Sequence, residues 1–189
     1  MAGWTQELAR HGAELMSDRS EAVSLLSGPF SERAGQLGLE GEAALAYKPR
    51  SRGSTPEELR QELEAALSSD LERGFTTHGP HRDELSIELD RKALRRFGSQ
   101  GQQRLALLAL LLAERDALAA ARTGTPMLLL DDVMSELDGS RRDLLLDLLE
   151  HGGQALITTA DPAATGLDRE FDRVRVAPGE LAVLERAAA

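Results

Sequence analysis

Apolar positions along this chain change period partway through, and the change marks two regions of different texture. In residues 4–16, Trp4, Leu8 and Leu15 fall near helical spacing among polar neighbours, which predicts an amphipathic helix. Val23, Leu25 and Leu26 predict a second, short helix that ends at Gly28 and Pro29. Gly35, Gly38 and Gly41 then predict a turn-rich stretch up to a strand over residues 43–47, followed by an exposed loop over 48–54. Thr55, Pro56 and Glu58 read as a capping box with proline at the first helical position. Leu59, Leu63, Leu67 and Leu71 continue that helix at four-residue steps until Gly74. Leu85, Ile87 and Leu89 alternate with Ser86, Glu88 and Asp90, the period of a half-buried strand.

From residue 102 the pattern is denser. A long helix is predicted over 102–121, apolar nearly all round at Leu105 to Leu112, so those leucines are assigned to the core. Gly124 and Pro126 precede a wholly apolar strand at 127–130; a helix over 140–149 and a second strand at 155–158 follow. Strand, helix, strand with continuous apolar strands implies a parallel sheet covered on both faces. Val174 to Val176 and Leu181 to Leu184, separated by Pro178 and Gly179, predict a closing hairpin, and 187–189 a frayed tail. The fold class is therefore α/β.

Composition narrows the setting. The chain has 189 residues, 41% of them apolar, enough for one domain with a core or most of a domain with an appendage. It contains no cysteine, so no disulfide framework is available. Its longest apolar run, residues 105–113, is too short to span a bilayer, and the N-terminus does not resemble a signal peptide. These features lead to the expectation of a cytoplasmic protein. A formal charge of −10 excludes nucleic-acid binding through the whole surface; any such contact is local. The densest basic stretch is Arg91, Lys92, Arg95, Arg96 and Arg104.

Two segments carry candidate chemistry. The apolar strand ends in Asp131 and Asp132, which places carboxylates at the carboxyl edge of a parallel sheet, where ligands of such folds bind. Asp131 is the candidate ligand for Mg²⁺ and Asp132 the candidate for orienting a water that attacks a γ-phosphate. Upstream, SQGQQR at residues 99–104 opens the long helix. A small polar residue and a glycine there leave backbone N–H groups at the positive end of the helix dipole, an anion site in which Ser99 donates its hydroxyl and Gly101 permits close approach. The sequence contains no GxxxxGK[ST] phosphate loop. His78 and His81 are three apart, but no third ligand of matching spacing accompanies them, so they are not assigned to a metal. An ion pair of Arg82 with Asp83 or Glu84 is expected to shape that turn.

SQGQQR resembles the signature sequence of ABC-type ATPases, and LLLDDVMSELD at residues 128–138 resembles their Walker B strand followed by a D-loop at Ser135 to Asp138. TTHGPHRDE at 76–84, LLLDDVMSELDGSRR at 128–142, QALITTADP at 154–162 and WTQELARHGAELM near the start are similar to the RecF family of bacterial recombination proteins. The resemblance covers nearly the whole chain, but only the C-terminal part of that family. It implies a partial ABC-type ATPase head, a parallel sheet flanked by helices, with a helical lobe segment at the N-terminus. Residues 1–97 would be the lobe segment with a short strand region, and 98–189 the ATPase subdomain.

The resemblance further implies ATP and Mg²⁺ as cofactors, a homodimer closed through the ATP interface, and RecO and RecR as mediator partners. The substrate would be single-stranded or gapped DNA, with recombinase loading and SOS induction as the outcome. Ser99, Gly101 and Gln102 would contact nucleotide held by the opposite subunit, and Gln100, Ser135, Asp138 and Thr159 are further nucleotide-binding residues that the resemblance implies. Asp131 and Asp132 would serve nucleotide held by their own chain. Many ABC-type enzymes have glutamate where Asp132 stands; the shorter side chain implies slow hydrolysis that times residence on DNA. Thr158 and Thr159 occupy the region where many relatives carry a phosphate-sensing histidine, and threonine donates a hydrogen bond without positive charge. Leu105 and Leu111 or Leu112 replace polar residues frequent in the family. The chain is expected to be a fragment inactive alone; the alternative is a non-hydrolysing binding and dimerisation module that acts on a full-length ATPase or a repair partner.

Overall fold

The computed structural model describes residues 2–121, 124–150, 152–161 and 172–184. The expected tail at 187–189 lies outside the described residues. The chain divides into two compact units, Met1–Gly124 and Thr125–Ala189. Among the described residues no helix is long and apolar enough to cross a membrane.

The first unit is built on a 35-residue helix, α1 (Ala2–Gln36). It replaces the two short helices expected, and it runs through Gly28 and Pro29. Proline removes one backbone donor and normally breaks a helix. Here the buried stripe continues across it: Ala9, Gly12, Ala13 and Met16 on one side, Phe30, Ala34 and Leu37 on the other. The Arg33 guanidinium pairs with Asp116 at 2.6 Å, tying the far end of α1 to helix α4 (Gln100–Ala121). Tertiary anchoring on both sides of the proline therefore outweighs the local break. The stripe is written largely in alanine and glycine, whereas Trp4, Leu8 and Leu15, the positions that predicted the helix, face outward at 84%, 38% and 42% exposure.

Strand β1 (Ala43–Lys48) pairs antiparallel with β2 (Glu84–Leu89), and β2 with the two-residue β3 (Lys92–Ala93). Ser86 is the most buried residue of β2 and Leu85 is half exposed, so the leucine face expected to be buried is not the better covered one. Helix α2 (Pro56–Arg73) starts as the sequence dictates: Glu58 N–H donates to the Thr55 hydroxyl at 3.2 Å and Thr55 N–H to the Glu58 carboxylate at 3.1 Å. It stops at Gly74, whose φ of 77° suits glycine. Leu59 and Leu63 join Ala9, Met16 and Tyr47 in the core, while Leu67 and Leu71 stay exposed. Gly12 makes that packing possible, since a Cβ there would lie 2.9 Å from Leu59 Cδ2. A short helix α3 (Leu94–Phe97) precedes α4.

The segment before α2 is the loop expected and is exposed at Pro49, Arg50, Arg52 and Ser54, but it is pinned at two points. Ser51 and Gly53 are buried. Gly79 N–H donates to the Ser51 hydroxyl at 3.0 Å, and the N–H groups of Arg52 and Gly53 donate to Glu62 Oε1 at 2.8 and 2.9 Å. The turn at 76–83 closes against it. Asp83 does not pair with Arg82 as expected; Arg82 instead donates to Thr76 C=O at 3.1 Å and lies 4.7 Å over the Phe75 ring. The Asp83 side chain, 1% exposed, accepts from the Tyr47 hydroxyl, from Arg50 N–H at 2.9 Å and from the Arg19 guanidinium at 3.4 Å. Burial, then the bond to Asp83, pushes the Tyr47 phenol up to about 12.

In the second unit, β4 (Leu128–Asp131) pairs in parallel with β5 (Ala155–Thr158), joined through α5 (Gly139–Glu150). Leu128 and Leu130 are buried with Leu145, Leu146 and Leu149, but Leu129 and its register partner Leu156 are 66% and 57% exposed. The parallel pair is thus present, though its two apolar faces are not both covered. The hairpin of β6 (Arg173–Ala177) and β7 (Glu180–Leu184) is as expected, with Val174 opposite Val183 and Val176 opposite Leu181.

Removing a partnered, desolvated carboxylate strands the groups that point at it. Asp83→Ala is therefore expected to lower stability by roughly 3 kcal/mol, and Tyr47→Phe by about 1 kcal/mol, in urea unfolding. A second expectation concerns acid. The Thr77 hydroxyl and N–H, bonded to Asp70 Oδ1 at 2.6 and 3.2 Å, hold the Asp70 carboxyl below its ordinary range. Its stabilising effect is present above the unfolded value near pH 4 and is lost as pH falls through the lower folded value. Thr77→Val should therefore lower the thermal midpoint at pH 7 and reduce the loss of stability on acidification.

Candidate functional site

The two segments singled out in the sequence fall in different units, and each has its own local geometry. In the first, Ser99 precedes α4 and caps it. Gln102 N–H donates to the Ser99 hydroxyl oxygen at 3.2 Å, and Ser99 N–H donates to Gln102 Oε1 at 2.9 Å. This is the reciprocal capping box of a serine with glutamine three residues on. Gln103 closes the turn from the side, its amide donating to Gly98 C=O at 3.0 Å. The box fixes what each group has left to offer. Ser99 uses a lone pair within the box and keeps its hydroxyl proton for an acceptor outside; the Gln102 side-chain oxygen is turned into the box, and its NH₂ is left over. Ser99 and Gln100 are exposed, and Gly101 and Gln102 partly so.

In the second unit, β4 ends as expected with Asp131 and Asp132 exposed at its carboxyl edge. The residue that organises them is Thr158, the last residue of β5 and the register partner of Asp131. Its hydroxyl donates to Asp131 Oδ1 and accepts Asp132 N–H at 3.1 Å. Asp132 N–H also reaches Thr158 C=O at 3.1 Å. Asp132 itself sits in the left-handed region, with φ 49° and ψ 22°. That turns the chain into a short 3₁₀ helix, Val133–Glu136, where the Ser135 hydroxyl contacts Asp132 C=O at 2.9 Å and Asp132 Oδ2 at 3.0 Å. Met134, fully buried, anchors the turn.

Asp138 caps α5: its Oδ1 accepts from Arg141 N–H at 3.0 Å and from the Ser140 hydroxyl at 2.8 Å. Those bonds, the Arg141 N–H first, hold its carboxyl below the usual range. Thr159 turns the chain locally, its hydroxyl accepting from Asp161 N–H at 3.1 Å. Thus Asp131, Asp132 and Ser135 form one hydrogen-bonded cluster, while Asp138 and Thr159 serve local turns. Thr158 is the organising residue that sequence reasoning did not select over its neighbour. Strand register held the signal: a hydroxyl directly across a parallel pair from the first acid.

The donor set suits a hard cation that brings most of its own ligands. Asp131 Oδ1 is bonded to Thr158, leaving Oδ2 without a partner among the described residues, and those residues include no group of three or more candidate metal-ligating side chains. Mg²⁺ commonly binds through one or two carboxylates with waters and substrate phosphates, and one or two carboxylates are what this edge offers.

Comparison with known proteins adds the context. No protein-family model matches the chain. It is 40% identical over 191 residues to the DNA replication and repair protein RecF of Anaeromyxobacter sp. (strain K), covering 92% of this chain and 50% of that protein. It is 34% identical to RecF of Desulfitobacterium hafniense (strain DSM 10664 / DCB-2), covering 96% of this chain and 51% of that protein. Among solved structures, the recombination mediator protein RecF with ATP, of the RecFOR pathway, matches with TM-score 0.80 and 28% identity over 97% of this chain and 50% of its own. An SMC ATPase structure matches with TM-score 0.55 at 18% identity, a likeness of fold alone. The chain is thus similar to RecF proteins over nearly all of its own length, and it spans about half the length of the curated relatives it matches.

Proposed function

We propose that this chain is the signature and Walker B portion of a RecF-like, ATP-dependent DNA replication and repair protein. The observation that carries the reading is the Thr158 hydroxyl, which fixes Asp131 and the backbone of Asp132 together at the carboxyl edge of parallel strands. Two acids so close serve different tasks only if they are held in different orientations, and that hydroxyl, with the turn at Asp132, separates them.

In this reading Asp131 carries Mg²⁺ through its remaining oxygen. The cation, when bound with ATP, neutralises developing phosphate charge. Asp132 accepts a proton from, and orients, the attacking water, while Ser135 holds its Oδ2. The capping box presents the Ser99 proton, the Gly101 backbone and the Gln102 amide toward nucleotide on an opposing subunit, with Gln100 beside them. Asp138 and Thr159 shape the loops that meet that subunit. The dimer is then held by nucleotide, and it acts on single-stranded or gapped DNA with the mediators RecO and RecR to assist recombinase loading and SOS induction in the cytoplasm. Hydrolysis is slow, and its rate sets the time spent on DNA.

Because phosphate-loop contacts are absent from this sequence, the 189-residue chain should hydrolyse no ATP and bind it very weakly. Stoichiometric micromolar ATP binding in calorimetry would overturn that. In a complete RecF-like protein carrying these residues, ATP turnover should be slow and stimulated by DNA. Asp132→Asn should cut turnover about 100-fold or more. A variant that turns over normally would remove Asp132 from the role given to it.

A further inference from the structure

The turn joining β2 to β3 is made by Asp90 and Arg91, with φ of 50° and 63°. Two successive left-handed residues are the mark of the tight hairpin turn that matches strand twist, although arginine is a costly choice for it. Asp90 is committed to the backbone beside it: its Oδ1 accepts Glu42 N–H at 2.9 Å, and its own N–H donates to Glu42 C=O at 2.9 Å. Gly41 leaves room for this, since a Cβ there would lie 2.9 Å from both Asp90 carboxylate oxygens. The carboxylate nearest in sequence to Arg91 is thus directed to the backbone.

Lys92 follows in β3, and α3 then presents Arg95, Arg96 and Phe97 at the surface. Leu94, 2% exposed, pins this short helix, and Gly98 N–H donates to Leu94 C=O at 2.8 Å. A side chain at Gly98 would clash with Leu94, so the chain turns tightly there and Phe97 remains outside, 68% exposed. The Arg96 guanidinium lies 5.7 Å from the Phe97 ring centroid.

The side chains of Arg91, Lys92, Arg95 and Arg96 make no ion pair and no hydrogen bond among the described residues. Many cations elsewhere in the chain are engaged. Arg10, Arg19, Arg33, Lys48, Arg60 and Arg141 all pair with carboxylates, and the net charge is −10. Carboxylates outnumber cations, yet four exposed cations within seven residues remain unpaired around an exposed ring. Cations with that spacing suit the phosphates of a backbone, and an exposed aromatic face suits an unstacked base. An acidic peptide would use the charges but would give the ring no task.

We infer that residues 91–97 form a contact surface for single-stranded nucleic acid, with phosphates on Arg91, Lys92, Arg95 and Arg96 and a base stacked on Phe97. The inference rests on the DNA-directed reading above and adds where the strand lies and which residue takes a base.

The test uses the 189-residue chain and a labelled oligothymidylate about 16 nucleotides long, read by anisotropy from about 50 to 200 mM salt. Binding that weakens with salt is expected. Arg95→Ala with Arg96→Ala should flatten the log–log salt slope by about 1.4, as two lost phosphate contacts require for a single strand. Phe97→Ala should weaken binding about tenfold with the slope unchanged. All three side chains are exposed, and unaltered thermal midpoints would establish that the variants remain folded. Undiminished binding by both variants would overturn the location while leaving the DNA-directed reading intact. No binding by the unaltered chain would overturn the inference, with ATP turnover of a complete protein still testing the wider reading. Equal competition by polyglutamate, together with no effect of Phe97→Ala, would make the surface a general polyanion site and overturn the assignment of a base.

Discussion

A single buried carboxylate, Asp83, holds the first unit in its arrangement. Three distant stretches of chain donate to it: Arg19 from the middle of α1, Tyr47 from the end of β1 and the Arg50 backbone from the segment before α2. A desolvated carboxylate is tolerated only where donors surround it, so each of those stretches has one permitted position. The consequences spread from there. Ser51, next to Arg50, is placed to receive Gly79 N–H, and the Pro80 carbonyl accepts from Arg19 at 2.5 Å. The turn at 76–83, the loop before α2 and the long helix are therefore one hydrogen-bonded construction.

What could be read in the sequence was what neighbouring residues decide among themselves. The Thr55 and Glu58 box, the glycine stop at Gly74, the apolar strands and the closing hairpin all follow from local chemistry and appear where spacing put them. The failures share a cause. Helix α1 passes through Pro29 because the burial of Phe30 and the Arg33–Asp116 pair hold the helix beyond it, and Asp116 is far from Pro29 in sequence. Its buried stripe uses small residues for close approach, so a search for large apolar side chains selects the exposed face. The loop over 48–54 is exposed as its composition suggests, but its anchoring is not legible locally, because its backbone donors are satisfied by Glu62 and Asp83, ten and more than thirty residues away.

The candidate site repeats that division. Asp131 and Asp132 were legible as acids at a strand end, and Ser99 as the start of a helix. Their hydrogen-bonding states were not. The Ser99 oxygen accepts Gln102 N–H while its proton stays free to donate outward, and this follows from helix capping rather than from any ligand. The hydroxyl that matters most to the acids comes from Thr158, twenty-seven residues from Asp131, and only parallel register brings it there.

The backbone at Asp132 bears on how such a site can evolve. Its φ of 49° lies where aspartate, asparagine and glycine are the residues most at ease. Of these, only aspartate keeps a carboxylate. Lengthening the acid to reach further would impose the left-handed strain on a side chain less suited to it and would displace the contact with Ser135. Reach and turn geometry are thus coupled at one position. A faster lineage would have to remodel the turn before, or together with, the acid it carries.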